Sequence, residues 1–214
     1  MRVTIAEVDF DVSTTIESSP TRLTRQAFAE QLRRIVPSQR DQWFDVWLGL
    51  PEMPDDEALP RGCVPYWPCP VEALLQALSL VRLHDRDLLV DLGSGLGRSI
   101  AFFGLMSEAK VLGVEIQRSL VAVSRKLLDQ RGLQRVQVVH GNATELPGPC
   151  REGTVFFMYS PFGGEHMRSL LTELERLASV QRFRIICVDM ADLRLPWLEQ
   201  ITESNNRVGV YRSR

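Results

Sequence analysis

The chain has 214 residues, 44% of them hydrophobic and 24% charged, and sets 25 Lys plus Arg against 27 Asp plus Glu for a formal net charge of −2. That content excludes a disordered chain, a collagen or a coiled coil, and the length suits one globular domain with a small appendage. A chain so balanced is no general polyanion binder, although the balance is uneven: the first 60 residues hold six arginines and eleven acids, and the remainder is net positive. No apolar run approaches the roughly 18 residues of a membrane span, and the acids within residues 1–11 do not suit a signal peptide. Cys63, Cys69, Cys150 and Cys187 lack metal-ligand spacing, which suits a reduced, cytoplasmic protein with no metal; a Cys63 to Cys69 disulfide is the less favoured reading.

Alternation of Val3, Ile5, Val8, Phe10 and Val12 fits a short strand or an extended arm over residues 1–14. Thr24 is placed to cap a helix carrying Ala27, Phe28, Leu32, Ile35 and Val36, which Pro37 ends; Ser38 is placed to cap a second with Trp43, Phe44, Trp47 and Leu48 on one face. Those rings suit packing of the two helices or, in the other reading, a substrate groove. Six prolines within residues 49–70 forbid a long helix, while Val64, Tyr66 and Trp67 suit an ordered connector. Helix and strand then alternate: helix 71–83, strand 88–92, helix 98–107, strand 111–115, helix 117–130, strands 136–140 and 154–159, helix 165–178 and strand 183–189. Continuous apolar runs such as 155–159 belong in a sheet covered on both faces, so this order predicts a doubly wound, mostly parallel, Rossmann-like α/β sheet. Segments 195–203 and 207–212, joined by Ser204-Asn205-Asn206, predict a closing antiparallel hairpin.

The run Val90-Asp91-Leu92-Gly93-Ser94-Gly95-Leu96-Gly97-Arg98 stands where the first strand of the alternation enters a helix. Glycines there let the chain turn sharply and let a ligand approach the backbone, ahead of the free N–H groups of a helix start. A dinucleotide fingerprint would place glycine where Arg98 stands, so the spacing is DxGxGxG. Glu115, 18 residues past Gly97 and at the end of the next strand, can accept both hydroxyls of a ribose; the other reading is an ordinary strand-end acid. Gly141-Asn142-Ala143 follows the third strand, and Asn142 can bond an amine and a ring nitrogen together or else form an Asx turn. Tyr159-Ser160-Pro161-Phe162 ends the fourth strand, on the side where open α/β sheets bind ligands. The stiff lead-in Val64-Pro65-Tyr66-Trp67-Pro68-Cys69-Pro70 holds two rings either over that site or as a plug for the core. His84, His140 and His166 share no metal spacing and read as strand-end or helix-face residues.

From Pro65 to the C-terminus the chain resembles class I S-adenosylmethionine-dependent methyltransferases. Within them it is similar to small bacterial proteins that share a PYxPxP-like lead-in (66–70), DLGSGxGR (91–98), GVE (113–115), GxA (141–143), a YNPF-like motif (159–162) and a terminal VxVYR (208–212). The lead-in and glycine motif also resemble those of archaeal protein-lysine methyltransferases. The resemblance implies S-adenosyl-L-methionine as cofactor, held by Tyr66, Asp91, Gly93, Ser94, Gly95, Gly97, Glu115, Ile116, Asn142, Ala143 and Tyr159. It implies Tyr159, Ser160, Pro161 and Phe162 as the catalytic residues beside the transferred methyl group. Against the Asp/Asn-Pro-Pro-Tyr/Phe motif of adenine and glutamine methyltransferases, Ser160 replaces the acid or amide and one proline is missing, which demotes those acceptors. The expected acceptor is a nitrogen of a protein or small-molecule amine rather than a nucleic acid; the alternatives are O- or C-transfer to a small metabolite and a non-catalytic cofactor-binding module. Residues 1–64 then form a helical cap and proline-rich connector, and residues 65–214 the methyltransferase domain. The acidic cap would attract a cationic acceptor and supply substrate specificity.

Overall fold

The computed structural model describes residues 24–52, 59, 63–203 and 207–214; the expected arm at 1–14 and the Ser204-Asn205-Asn206 turn lie outside them. Helix α1 (Arg25–Arg34) starts on Thr24, whose Oγ1 accepts from the Ala27 N–H at 3.2 Å. Ser38 does not cap the second helix. Pro37 fixes its own φ and opens a 3-10 turn over Pro37–Gln39, so α2 (Arg40–Leu48) begins two residues later on Gln39, with no side-chain cap. It stops at Gly49, which turns the chain at φ +78°. Phe28 packs against Trp43, Phe44 and Trp47, and Phe28 and Phe44 both meet Phe102 edge-on at 6.3 and 5.6 Å. The tryptophans therefore pack the two helices against each other, and Phe28 and Phe44 seat them on Phe102.

The alternating part follows as α3 (Val71–Leu80), β1 (Leu88–Leu92), α4 (Arg98–Met106), β2 (Lys110–Glu115), α5 (Arg118–Gln130), β3 (Val136–His140), β4 (Val155–Tyr159), α6 (Gly164–Ala178), β5 (Arg184–Val188), β6 (Leu198–Gln200) and β7 (Val208–Ser213). Helix α3 ends three residues before the expected Leu83 because Val81 is extended and the chain turns where the His84 N–H donates to Asp87 Oδ2 at 2.8 Å. Asp189, with φ +51°, takes the chain out of extended geometry after β5. Strand β6 is shorter than 195–203 because Leu195 to Leu198 form a turn closed by the Leu198 N–H on the Leu195 carbonyl at 3.0 Å.

The seven strands lie in the order β3-β2-β1-β4-β5-β7-β6. The first five are parallel, and β7 runs antiparallel to both β5 and β6. This is the expected doubly wound sheet with its antiparallel end. Alternate side chains feed two cores: Leu89, Val111, Val155, Phe157 and Ile186 pack with Phe28, Phe44 and Phe102, while Val90, Leu112, Phe156, Met158 and Ile185 pack with Leu170 and Leu174 of α6. Burial on both faces is why these strands read as unbroken apolar runs. The order reverses direction between β1 and β4, and a crevice at such a switch point is where an open α/β sheet takes its ligand.

Candidate active site

A cavity of about 670 Å³ opens at the carboxyl ends of β1, β2 and β4, and the glycine turn is its floor. The Gly93 and Ser94 N–H groups both donate to the Val114 carbonyl at 3.0 Å, which fastens the turn to β2. Glu115 completes the joint: Oε2 accepts from the Gly95 N–H and Oε1 from the Gln117 N–H, each at 2.8 Å. Gly95 has φ +53°, and a Cβ there would stand 2.3 Å from Tyr66 Cδ2; a Cβ on Gly93 would meet Pro161 Cβ at 3.0 Å. Glycine thus lets the connector and the loop after β4 both close on the turn. Gly97 does not line the cavity. Its missing Cβ would lie 2.2 Å from Ser124 Oγ, so it seats α4 against α5.

Asp91 is 3% exposed and lines the cavity without an ion pair among the described residues. Burial first, and the Glu115 charge second, push its carboxyl up to about 8. Ser94 Oγ is buried with no hydrogen-bond partner among the described residues. A ligand with a cationic group and polar atoms fits such a lining, because it would satisfy both. Ile116 and Ala143 also line the cavity. Asn142 does as well, but its amide is engaged locally: Oδ1 accepts from Thr144 N and Oγ1 at 3.1 and 2.9 Å, and Nδ2 donates to Glu145 Oε1 at 3.0 Å. It forms the Asx turn, at the rim of the cavity.

At the other end the loop after β4 is held by backbone geometry. Ser160 sits at φ +39°, and its hydroxyl donates to the Asp189 carbonyl at 2.9 Å, while the Asp189 carboxylate takes both Arg207 Nε and Nη2 at 3.0 and 2.9 Å. Burial, followed by the nearby Cys69, raises the Tyr159 phenol above its ordinary range. Phe162 pairs with Cys63 in an antiparallel bridge, so the connector over residues 63–70 straps across the cavity. Tyr66 covers the turn, whereas Trp67 stands at the rim, 69% exposed. His166, read from the sequence as a helix-face residue, lines the wall beside Phe162, the two rings 6.2 Å apart.

The sequence offers Arg98 as the residue that rules out a dinucleotide fingerprint and closes the DLGSGxGR motif, with no role of its own. In the fold it is 2% exposed and held on three sides: Nε donates to Asp45 Oδ1 at 2.5 Å, Nη2 to Asp41 Oδ1 at 2.7 Å, and Nη1 to the Cys69 carbonyl, with the Phe44 ring 5.4 Å away. The available signal was a pair of acids four apart on α2, a spacing that puts both on one helix face.

Residues 89–180 match the family model described as "Methyltransferase domain". The chain is 28% identical over 113 residues to a tRNA (guanine-N(7)-)-methyltransferase of Cupriavidus necator, covering 50% of this chain and 41% of that protein. It is 27% identical over 94 residues to a demethylmenaquinone methyltransferase of Anoxybacillus flavithermus, covering 43% and 39%. It thus spans only about two fifths of either relative's length. Among solved structures, an RNA methyltransferase from Salinibacter ruber in complex with S-adenosyl-L-homocysteine superposes with a TM-score of 0.55 at 24% identity, over 69% of this chain and 92% of that one. That likeness is one of fold. Residues 89–180 are thus similar to a methyltransferase domain, and the strand order with the glycine turn between β1 and α4 is that of a Rossmann-like fold.

Proposed function

We propose that the chain is an S-adenosyl-L-methionine-dependent methyltransferase that acts on a nitrogen of a protein or small-molecule amine. The observation that carries this reading is the convergence of Asp91, Ser94, Glu115 and the loop of Tyr159, Ser160, Pro161 and Phe162 on one cavity at the switch point. The cofactor, when bound, supplies a methyl group on a positively charged sulfur. Asp91 would take the ammonium of its amino-acid part. Glu115 keeps lone pairs for ribose hydroxyls beyond the two N–H bonds it already accepts, and Ile116, Asn142 and Ala143, which line the same cavity, would flank the base. Tyr66 closes the turn from above and excludes water.

Transfer to a neutral amine would be an in-line displacement: the nitrogen lone pair would form the new bond as the S–CH3 pair stays on sulfur, and the methylated amine would leave as the cation or give its proton to solvent. The protein's share is alignment. An unperturbed lysine amine must lose its proton at a cost of about 4.6 kcal/mol at pH 7. The wall of Pro161, Phe162 and Tyr159 lowers that cost by disfavouring the ammonium. Ser160 contributes by fixing the loop to the end of β5. Because its hydroxyl already donates to Asp189 and supplies no amide oxygen, O- or C-transfer to a small metabolite is the second reading. The cap over residues 1–64 and the domain over 65–214 belong to the proposal, as does a reduced, cytoplasmic setting; the four cysteines are free thiols, and no described helix is long and apolar enough to cross a membrane.

The test is transfer of tritium from labelled cofactor into the protein, nucleic-acid and small-molecule fractions of a lysate. N-methyl label in protein or small molecules supports the reading; label in nucleic acid alone, or in no fraction, refutes it.

A further inference from the structure

Arg98 is the first residue of α4, directly after the glycine turn, and its guanidinium joins three pieces of chain that are distant in sequence. Asp45 and Asp41 of α2 accept from Nε and Nη2. The same Asp41 Oδ1 accepts the Val71 N–H at 2.8 Å, so α2 also holds the first turn of α3, where the strap ends. Nη1 donates to the Cys69 carbonyl inside the strap, three residues past the Tyr66 ring that rests on Gly95. The strap is therefore fixed at both ends, at Cys63 by its bridge to Phe162 and at Cys69 by Arg98. Removing either acid leaves a charge 2% exposed with too few partners, and a guanidinium left so will shift or draw in water rather than keep its aim.

We propose that Arg98 is a positioning residue that couples the N-terminal helices to cofactor binding: gripped by Asp41 and Asp45, it fixes the Cys69 carbonyl and thereby seats Tyr66 over the glycine turn. The inference rests on the reading of the cavity as the cofactor site. It assigns the appended helices a share in forming that site, whatever else they do for the acceptor. Coupling of this kind is reciprocal, so ligand at the turn must tighten α2 as much as α2 tightens the turn.

The experiment is hydrogen exchange of the full chain with and without S-adenosylhomocysteine, together with calorimetric titration of that ligand into the wild type, Asp45→Asn, Arg98→Lys and Leu174→Ala. In the wild type, ligand slows exchange over residues 40–48 as well as over 91–97. Asp45→Asn weakens binding about tenfold and abolishes the protection of 40–48, while 91–97 stay protected at saturation. Arg98→Lys keeps the charge but loses the planar fork and falls between the two. Leu174→Ala, a truncation in the core on the opposite face of the sheet, lowers the melting temperature without changing affinity. Unchanged exchange over 40–48 in a wild type that binds the ligand overturns the coupling, and this arm stands even if a variant does not fold. Wild-type affinity in Asp45→Asn, or an equal loss in Leu174→Ala, overturns it as well. A wild type that binds no S-adenosylhomocysteine overturns the cofactor reading itself and the coupling with it.

Discussion

Substitution of Gly95 by alanine tests the seat of Tyr66 directly. The backbone there has φ +53°, a left-handed conformation that costs an alanine about 1–2 kcal/mol. The new methyl would stand 2.3 and 2.4 Å from Tyr66 Cδ2 and Cε2, more than an ångström inside ordinary contact. A ring held between prolines on a strap fixed at both ends has little room to slide, so it must leave the turn. Surrendering the burial of such a ring costs about 1.5–3 kcal/mol more. The single variant is therefore expected to lose about 2.5–5 kcal/mol in urea unfolding and to bind S-adenosylhomocysteine far more weakly. In a Tyr66→Ala background the clash is gone and only the backbone cost of about 1–2 kcal/mol remains. The double-mutant cycle should then show a coupling of at least about 1.5 kcal/mol, well above the ~0.5 kcal/mol scatter of independent sites. Additivity within that scatter would refute the contact and the role given to glycine at this position.

The Asp91 carboxyl is raised from 3.8 to about 8, so between those values the folded chain binds more protons than the unfolded one. Its contribution to stability is present in full below about pH 4 and is lost as pH rises through about 8; Asp91→Asn should flatten that decline in urea titrations. A ligand ammonium reverses the preference, so calorimetry at neutral pH in buffers of different ionisation enthalpy should report close to one proton released per S-adenosylhomocysteine bound, and none for Asp91→Asn. Proton release that is the same in both proteins would remove Asp91 from the ammonium site. Glu115→Ala strands the buried N–H groups of Gly95 and Gln117 and should cost about 2–5 kcal/mol, whereas Glu115→Gln keeps an acceptor oxygen and should cost less. Equal stability of the two variants would contradict that account. Ser160→Ala removes one hydrogen bond to Asp189 and should lower stability by about 1 kcal/mol with S-adenosylhomocysteine affinity unchanged; a loss of affinity would mean that its hydroxyl does more than fix the loop.

What was legible in the sequence was local. Strands 88–92 and 136–140 read to the residue, because each apolar run ends on turn or polar signals that no tertiary contact overrides. The glycine turn was legible for the same reason, since backbone sterics demand those glycines wherever the rest of the chain goes. Ser38 misled because a proline one residue earlier takes a different short turn with its own geometry. Asn142 carried two competing local uses, and the Asx turn satisfies its amide. Arg98 lay beyond such reading: its partner Asp41 is 57 residues away, and nothing but the packing of α2 on α4 brings them together. His166 and Cys69 likewise reach the cavity through the folding of the strap and the start of α6 against β4.

The same long-range pairing changes what the uneven charge of the chain means. The first 60 residues are net negative and the remainder net positive, a pattern that from composition alone describes an acidic cap facing incoming cations. Two of those acids, Asp41 and Asp45, meet Arg98 of the positive part instead, and Arg40 of the cap meets Glu72 of α3 at 2.7 Å. Part of the asymmetry is therefore complementarity across an internal contact, and charges so paired project little field to the mouth of the cavity. The carboxylates that do line the cavity, Asp91 and Glu115, lie at the glycine turn and the end of β2, whereas Pro161, Phe162 and His166 wall its other end. On the proposed reading, an amine arriving against that wall would gain from shedding its charge rather than from keeping it, so selection by desolvation and fit would suit such an acceptor better than attraction of a cation by the cap.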